Sequence, residues 1–356
     1  MSVSATDMIS FGDDLLSYNL PPGDSDHGGQ LGAARRLFPG AVEPFLDLST
    51  GINPNPYPLP HLAAEIFARL PDGDAAAALA AIAAEAYGAP SPAAIVSAPG
   101  TQILLPMVAG LVRAGRAAVV TPTYFEHARA AALAGHRVAE IRDLDTAGDA
   151  AIVFVTNPNN PDGRLFAKND LLAAAKQLQA RGGLLVVDEA FMDVGPPGSG
   201  LSADIGRGNI VVLRSFGKFF GLAGVRLGFA LAAPPLAARL AARLGPWAVS
   251  APALAIGTKA LADRAWIETT RRRLKRGAAR LDAMLREAGL EILGGTTLFR
   301  LARAAAAKEC FHHLGRAGIL SRVFREQPTW LRLGLPAAEP DWQRLRIAMA
   351  AWRDKG

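Results

Sequence analysis

Between residues 94 and 230, seven short runs rich in Val, Ile, Leu and Ala (94–97, 117–121, 137–141, 151–156, 183–188, 210–215 and 227–230) alternate with stretches of helical spacing, among them 103–113, 126–133 and 169–180. Runs of that length suit strands rather than helices, and several are apolar at nearly every position, as strands covered on both faces are. The alternation predicts an α/β fold with a mostly parallel sheet and helices on both sides. Ligands of such sheets bind beyond the carboxyl ends of the strands, so the residues just after each run carry the functional information. From about residue 246 the pattern changes to a long basic helix over 264–288, short strands at 291–293, 297–302, 319–323 and 330–334, and a closing helix over 341–353. That is the pattern of a smaller α+β domain. The first 45 residues, rich in Gly, Pro and Asp, read as an arm that packs on this domain or on a second subunit. The expected division is therefore an arm at 1–45, a large domain at 46–245 and a small domain at 246–356.

Composition narrows the functional classes. At 356 residues and 50% hydrophobic the chain can bury a large core. Its one cysteine, Cys310, excludes an internal disulfide, fits a reducing compartment and reads as a packed core thiol. Residues 1–14 lack a basic run ahead of an apolar stretch, and apolar segments such as 152–155 are too short to span a bilayer, so a cytoplasmic protein with no membrane contact is expected. The formal charge of +6 comes from arginines scattered along the chain rather than interleaved with aromatics, which argues against nucleic acid and suits anionic small ligands. The one dense cluster, Arg271, Arg272, Arg273, Lys275 and Arg276, reads as a solvated helix face. No metal site is expected.

Only seven lysines occur, and Lys218 is set among Ser, Phe and Gly directly after the strand at 210–215. A lysine desolvated in such a setting has a lowered pKa and can form a Schiff base with an aldehyde cofactor. Asp188 closes the strand at 183–188, where a buried carboxylate needs a cationic partner; a protonated pyridine nitrogen is one. Val187-Asp-Glu-Ala190 would also suit a magnesium-binding strand end of an ATPase. That reading requires a Gly-x-x-x-x-Gly-Lys-Ser/Thr loop, and Lys218 is followed by Phe219. Asn157 in Thr156-Asn-Pro-Asn-Asn-Pro161 follows another strand and can donate an amide hydrogen bond to a phenolic oxygen. Gly100, Thr101 and Gln102 open a helix after the strand at 94–97, and their backbone N–H groups make a phosphate cradle.

This ordered set, with Pro122-Thr-Tyr-Phe125 and Ser215 to Arg226, resembles the fold-type I pyridoxal-phosphate enzymes of the aspartate aminotransferase superfamily over nearly the whole chain. The resemblance implies pyridoxal 5'-phosphate on Lys218, Tyr124 stacked on its ring, and Asn157 and Asp188 at the ring oxygen and nitrogen. It also implies Ser215 and Arg226 in the phosphate cradle, and an obligate homodimer in which Tyr57 reaches across to the partner's phosphate.

Within the superfamily, Asp26-His-Gly-Gly-Gln30 and Leu46-Asp-Leu-Ser-Thr-Gly-Ile-Asn-Pro54 resemble the L-threonine-O-3-phosphate decarboxylases of cobalamin biosynthesis, relatives of histidinol-phosphate aminotransferase. Phe191 stands where the aminotransferases commonly carry a tyrosine, in keeping with that family. The resemblance implies that His27, Gly28 and Gly51 help enclose the substrate. It also implies that Arg332, with Asn157, takes the α-carboxylate, and that Arg322 takes the substrate phosphate region, two oxyanions calling for two guanidinium forks. The expected activity is decarboxylation of O-phospho-L-threonine to (R)-1-amino-2-propanol phosphate. A histidinol-phosphate-type aminotransferase remains open, as does, more remotely, a non-catalytic cofactor-binding regulator.

Overall fold

The protein is described here by a computed structural model covering residues 27–353. The chain enters through α1 (Leu31–Leu37) and β1 (Leu46–Asp47), then α2 (Glu65–Ala68) and α3 (Gly73–Tyr87), the last capped by the Asp72 carboxylate. The repeating unit follows: β2 (Ile95–Ala98), α4 (Thr101–Ala109), β3 (Arg116–Val120), α5 (Glu126–Leu133), β4 (Arg137–Ile141), β5 (Ile152–Thr156), α6 (Lys168–Gln179), β6 (Leu184–Asp188), β7 (Ile210–Ser215), α7 (Phe216–Phe219) and β8 (Gly228–Ala232). These strands form one seven-stranded sheet in the order β2-β8-β7-β6-β5-β3-β4. Neighbours from β7 to β4 pair in parallel, whereas β8 runs antiparallel to both β7 and β2. The carboxyl ends of six strands and the start of β8 therefore lie along a single edge.

Burial explains the composition of these strands. Every residue of β5, β6 and β8 is buried. Alternate side chains feed two separate cores: Val153, Leu185, Val187 and Val212 on one face, and Ile152, Phe154, Val186 and Leu213 on the other. Continuing that alternation off the strand ends sends Asp188 and Ser215 to the second face and Glu189 and Arg214 to the first.

After α8 (Pro234–Leu244) and α9 (Ala251–Ala262), the long α10 (Arg264–Glu287) leads to β9 (Glu291–Thr296), β10 (Phe299–Arg303), α11 (Ala307–Arg316), β11 (Ile319–Leu320), β12 (Arg322–Phe324), β13 (Gln327–Gly334) and α12 (Glu339–Arg353). Four of these strands make an antiparallel sheet in the order β12-β13-β10-β9. The single strand expected at 319–323 is two: β11 pairs in parallel with β1, then the chain changes partner at the buried Ser321 and β12 pairs with β13. The described part of the arm packs on these C-terminal elements, through Phe38 against Phe311 and through Arg344 donating to the carbonyls of Val42 and Pro44. Residues 1–26 lie outside the described residues. Helix α9 packs against α3. Cys310 is fully buried in α11, its thiol pushed up to about 12 by burial.

The turn after β5 is docked on the small sheet. Gly163 takes φ 73°, and a Cβ there would lie 2.1 Å from the backbone oxygen of Gly295. Gly182 has a similar φ of 74° but open space around it. Gly182→Ala is therefore expected to cost about 1 kcal/mol, the left-handed penalty alone, and Gly163→Ala at least about 2 kcal/mol more. Urea unfolding of the two variants checks this; equal losses would show that the turn is not tightly docked.

Candidate active site

Along the common strand edge lies a cleft of about 240 Å³ floored by the large domain and closed by residues of the arm and of β12 and β13. Lys218 lies in α7, immediately beyond β7, half-buried in the cleft lining. Burial, with Arg332 and the more distant Arg322 and Arg226 adding repulsion against the attraction of Asp188, lowers its amine to about 8. The Phe191 ring lies beside it, 5.8 Å from Nζ to the ring centroid, and packs edge-on against Phe299.

Asp188 is the one carboxylate lining this cleft among the described residues. It ends β6 and is 7% exposed; one oxygen meets His127 Nε2 at 2.9 Å and the other accepts from the Ala190 backbone N–H at 3.0 Å. His127 is itself buried, stacked on Phe154, so the carboxylate is held from behind and keeps its remaining lone pairs for the cleft. No motif in the sequence singled out His127. The need of a strand-end carboxylate for a second anchor, together with a histidine three residues after Tyr124, was the available signal.

At the start of α4, Gly100 takes φ 88° and Arg226 packs against it: a Cβ on Gly100 would lie 2.5 Å from the guanidinium. Arg226 adopts φ 52°, an uncommon conformation for a residue with a side chain, and it donates to the Ala223 carbonyl. Gly100, Thr101, Gln102, Ser215 and Arg226 all line this end of the cleft, where helix N–H groups and a guanidinium converge on a site for an anion. The Gln102 side chain is committed elsewhere, donating to Glu126 and accepting from the Tyr124 hydroxyl. Burial holds that hydroxyl well above the usual phenol range.

The other end is cationic. Arg332 is 3% exposed, donates to Asn160 Oδ1 at 2.5 Å and to the Ser49 carbonyl at 2.6 Å, and its Nε has no partner among the described residues. Burial and the neighbouring Arg322 press its pKa well down. Arg322 lines the same wall, its guanidinium over the Phe324 ring. His27, Gly28 and Gly51 close the mouth; the His27 ring lies on Phe125, with Nε2 3.6 Å from the buried Glu126.

Two expected residues stand elsewhere. Asn157, directly beyond β5, is fully buried beneath the cleft lining; its side-chain oxygen accepts from the Phe166 N–H and its side-chain nitrogen has no partner among the described residues. The asparagine that reaches the cleft is Asn160. Tyr57 is 3% exposed, wedged edge-on against Phe220 and Trp266, and its hydroxyl donates to Asp263 of its own chain, away from the cleft.

A low-pKa amine, a buried carboxylate and a helix N-terminus backed by a guanidinium answer the aldehyde, the pyridine nitrogen and the phosphate of pyridoxal 5'-phosphate. The residues present fit that cofactor, and two further arginines remain for a substrate.

Comparison with known proteins agrees. A family model described as aminotransferase class I and II matches residues 30–351. A threonine-phosphate decarboxylase of Pseudomonas aeruginosa is 43% identical over 332 residues, covering 92% of this chain and 98% of the relative. A protein of the same name from a Sinorhizobium species is 44% identical over 326 residues, covering 91% and 97%. Among solved structures, a histidinol-phosphate aminotransferase from Sinorhizobium meliloti in complex with pyridoxal-5'-phosphate superposes with a TM-score of 0.79 at 21% identity, covering 91% of this chain and 95% of that one. That likeness establishes the fold.

Only a neutral amine adds to an aldehyde. The cofactor-free protein should therefore capture pyridoxal 5'-phosphate at a rate that rises through a pH of about 8 and then levels, and borohydride trapping with peptide mapping should place the label on Lys218. A rate still climbing toward the ordinary lysine value of 10.5, or a label on another lysine, contradicts the assignment.

Proposed function

The chain belongs to the class I and II aminotransferase family, and from that premise we propose that it is a threonine-phosphate decarboxylase of cobalamin biosynthesis, which releases carbon dioxide from O-phospho-L-threonine and leaves (R)-1-amino-2-propanol phosphate. The observation that carries this reading is the pair of guanidiniums, Arg332 and Arg322, facing the cleft in addition to Arg226 at the cofactor's phosphate end. A substrate with a carboxylate and a phosphate needs two such forks. The names and near-complete coverage of the two relatives support the same substrate.

Bound pyridoxal 5'-phosphate supplies a conjugated ring that accepts the electron pair of the broken bond. Asp188, braced by His127, holds a proton on the ring nitrogen. Gly100, Thr101 and Gln102 offer backbone N–H groups to the cofactor phosphate, joined by Ser215 and Arg226, and Tyr124 lies against the ring. Asn157, whose buried side-chain nitrogen has no partner among the described residues, would donate to the ring oxygen, and Asn160 stands beside Arg332 at the substrate carboxylate. Arg332 grips that carboxylate, Arg322 and His27 hold the substrate phosphate, and Gly28 and Gly51 let the arm close down and exclude water. With the cofactor bound, Lys218 would be the group placed to deliver a proton from Nζ to the carbon that has lost carbon dioxide.

Supported by Leu59, Phe67 and Leu70, which expose 64%, 68% and 67% of their surface within one short segment, the working unit is a homodimer that covers this patch. Among the described residues no helix is long and apolar enough to cross a membrane. We place the enzyme in the cytoplasm, where its lone buried cysteine stays reduced.

Incubation with O-phospho-L-threonine should release carbon dioxide without any keto acid; transfer of glutamate's amino group to imidazole acetol phosphate instead would refute the decarboxylase reading. Arg332→Ala should lower kcat/KM by about two orders of magnitude or more, since it removes a charged fork and strands the Asn160 amide. In sedimentation velocity the protein should run at twice its 37.3 kDa chain mass and Phe67→Asp should shift it toward the monomer; a fully active 37.3 kDa species contradicts the dimer.

A further inference from the structure

Behind the strand edge, on the face of the sheet opposite the active-site cleft, lies a second cavity of about 600 Å³. Four charged side chains line it, Lys168, Arg214, Arg271 and Lys275, and all four are cations. The nearby acids stand behind this wall: Glu189 and Asp193 clamp the Arg214 guanidinium at 3.0 and 2.6 Å, and Asp204 holds Lys168 at 3.0 Å. Arg214 is 6% exposed, with its guanidinium 4.4 Å over the Tyr87 ring; although burial opposes its charge, Asp193 and Glu189 keep it firmly protonated.

Three observations mark this cavity as built for a ligand. Ser202, 3% exposed, and Tyr87, 8% exposed, both line it, and neither hydroxyl has a hydrogen-bond partner among the described residues. Buried hydroxyls without partners are costly and uncommon. Arg271 and Lys275 stand one turn apart on α10 and both face the cavity, and Lys275 has no ion-pair partner among the described residues. The outer wall, Met192, Val194, Pro196 and Pro197, is apolar, so the pocket offers a cationic floor and a greasy side.

We propose that this cavity is a second ligand site, distinct from the cleft around Lys218, which takes a small molecule with one oxyanion, phosphate or carboxylate, on an apolar body. The anion lies between Lys275, Arg271 and Lys168 and accepts from the Ser202 and Tyr87 hydroxyls, while the apolar part rests on the 192–197 loop. Its placement ties it to the active site: Glu189 follows Asp188 and Arg214 precedes Ser215, so the two pockets share the ends of β6 and β7 back to back.

The test is calorimetric titration of the holoenzyme after borohydride reduction, which fixes the cofactor on Lys218, with inorganic phosphate and succinate as separate probes. Wild type is expected to bind at least one of the two, and the tighter probe tells whether the site prefers phosphate or carboxylate. Lys275→Glu should weaken that binding about tenfold or more, and Ser202→Ala measurably, while turnover of O-phospho-L-threonine by the unreduced Lys275→Glu enzyme stays unchanged. Lys275→Met, which removes the charge without reversing it, guards against a folding defect and should weaken binding in the same direction. An isotherm identical in wild type and both Lys275 variants, or no binding of either probe up to about 10 mM, overturns the proposal.

Discussion

A strand buried on both faces can carry polar side chains only where it ends, and this fold lines up the ends of β2, β3, β5, β6 and β7 on a single edge. Everything chemical about the protein follows from that constraint. Asp188 is tolerable because it is the last residue of β6 and finds His127 and a backbone N–H at once. Glu189, one residue later, points the other way and is tolerable only because Arg214 meets it across the neighbouring strand end. Removing one partner of such a buried pair typically costs about 3–5 kcal/mol, because the other charge is left without compensation. The pair therefore fixes the relative position of β6 and β7, and with it the placement of Lys218 opposite Asp188.

The electrostatics of the cleft run against the usual rule that buried cations are matched by acids. Arg226, Arg322, Arg332 and Lys218 all face it, and among the described residues Asp188 is the one carboxylate in its lining, with Asp47 acting on Arg332 from behind. Burial first, and the crowding of like charges second, lower the Lys218 amine and press on Arg332, a load that anions relieve. A cofactor phosphate and a doubly anionic substrate supply that relief. The same feature discriminates against neutral amino acids, which would leave a guanidinium desolvated without an oxyanion to accept from it.

The long-range order of the fold was legible in the sequence because each strand is short and apolar and most are separated by distinct helical stretches; all seven runs reappear within a residue or two. Lys218 and Asp188 stood out in the sequence because each is a charged residue at or just past the end of an apolar strand, whereas Arg226 entered only through the family resemblance. Asn157 and Asn160 were not separable, since both sit in an Asn-Pro step and only the three-dimensional course of the turn decides which side chain is sealed under Phe166 and which reaches Arg332. Tyr57 was expected to act across a dimer interface, and within its own chain its hydroxyl meets Asp263, 206 positions away, a contact no local pattern announces. The run at 319–323 read as one strand because hydropathy reports burial and cannot report the exchange of partners at Ser321. Arg214 and Glu189 were invisible as a pair because strand register, which brings them together, is a property of two segments.

The choice between losing carbon dioxide and losing a proton depends on which bond at the substrate's α-carbon is held across the plane of the ring, and so on where the carboxylate is anchored. In this chain the anchor is not carried by β13 alone. Arg332 is tied on one side to Asn160 in the turn after β5 and on the other to the carbonyl of Ser49. Ser49 is in turn the point at which the arm is fastened: its hydroxyl donates to Asp47 and accepts from the Gly29 N–H, and the space beside its carbonyl admits only a glycine at position 28. The arm residues at the mouth of the cleft and the Arg332 guanidinium in its wall thus share one fixed point.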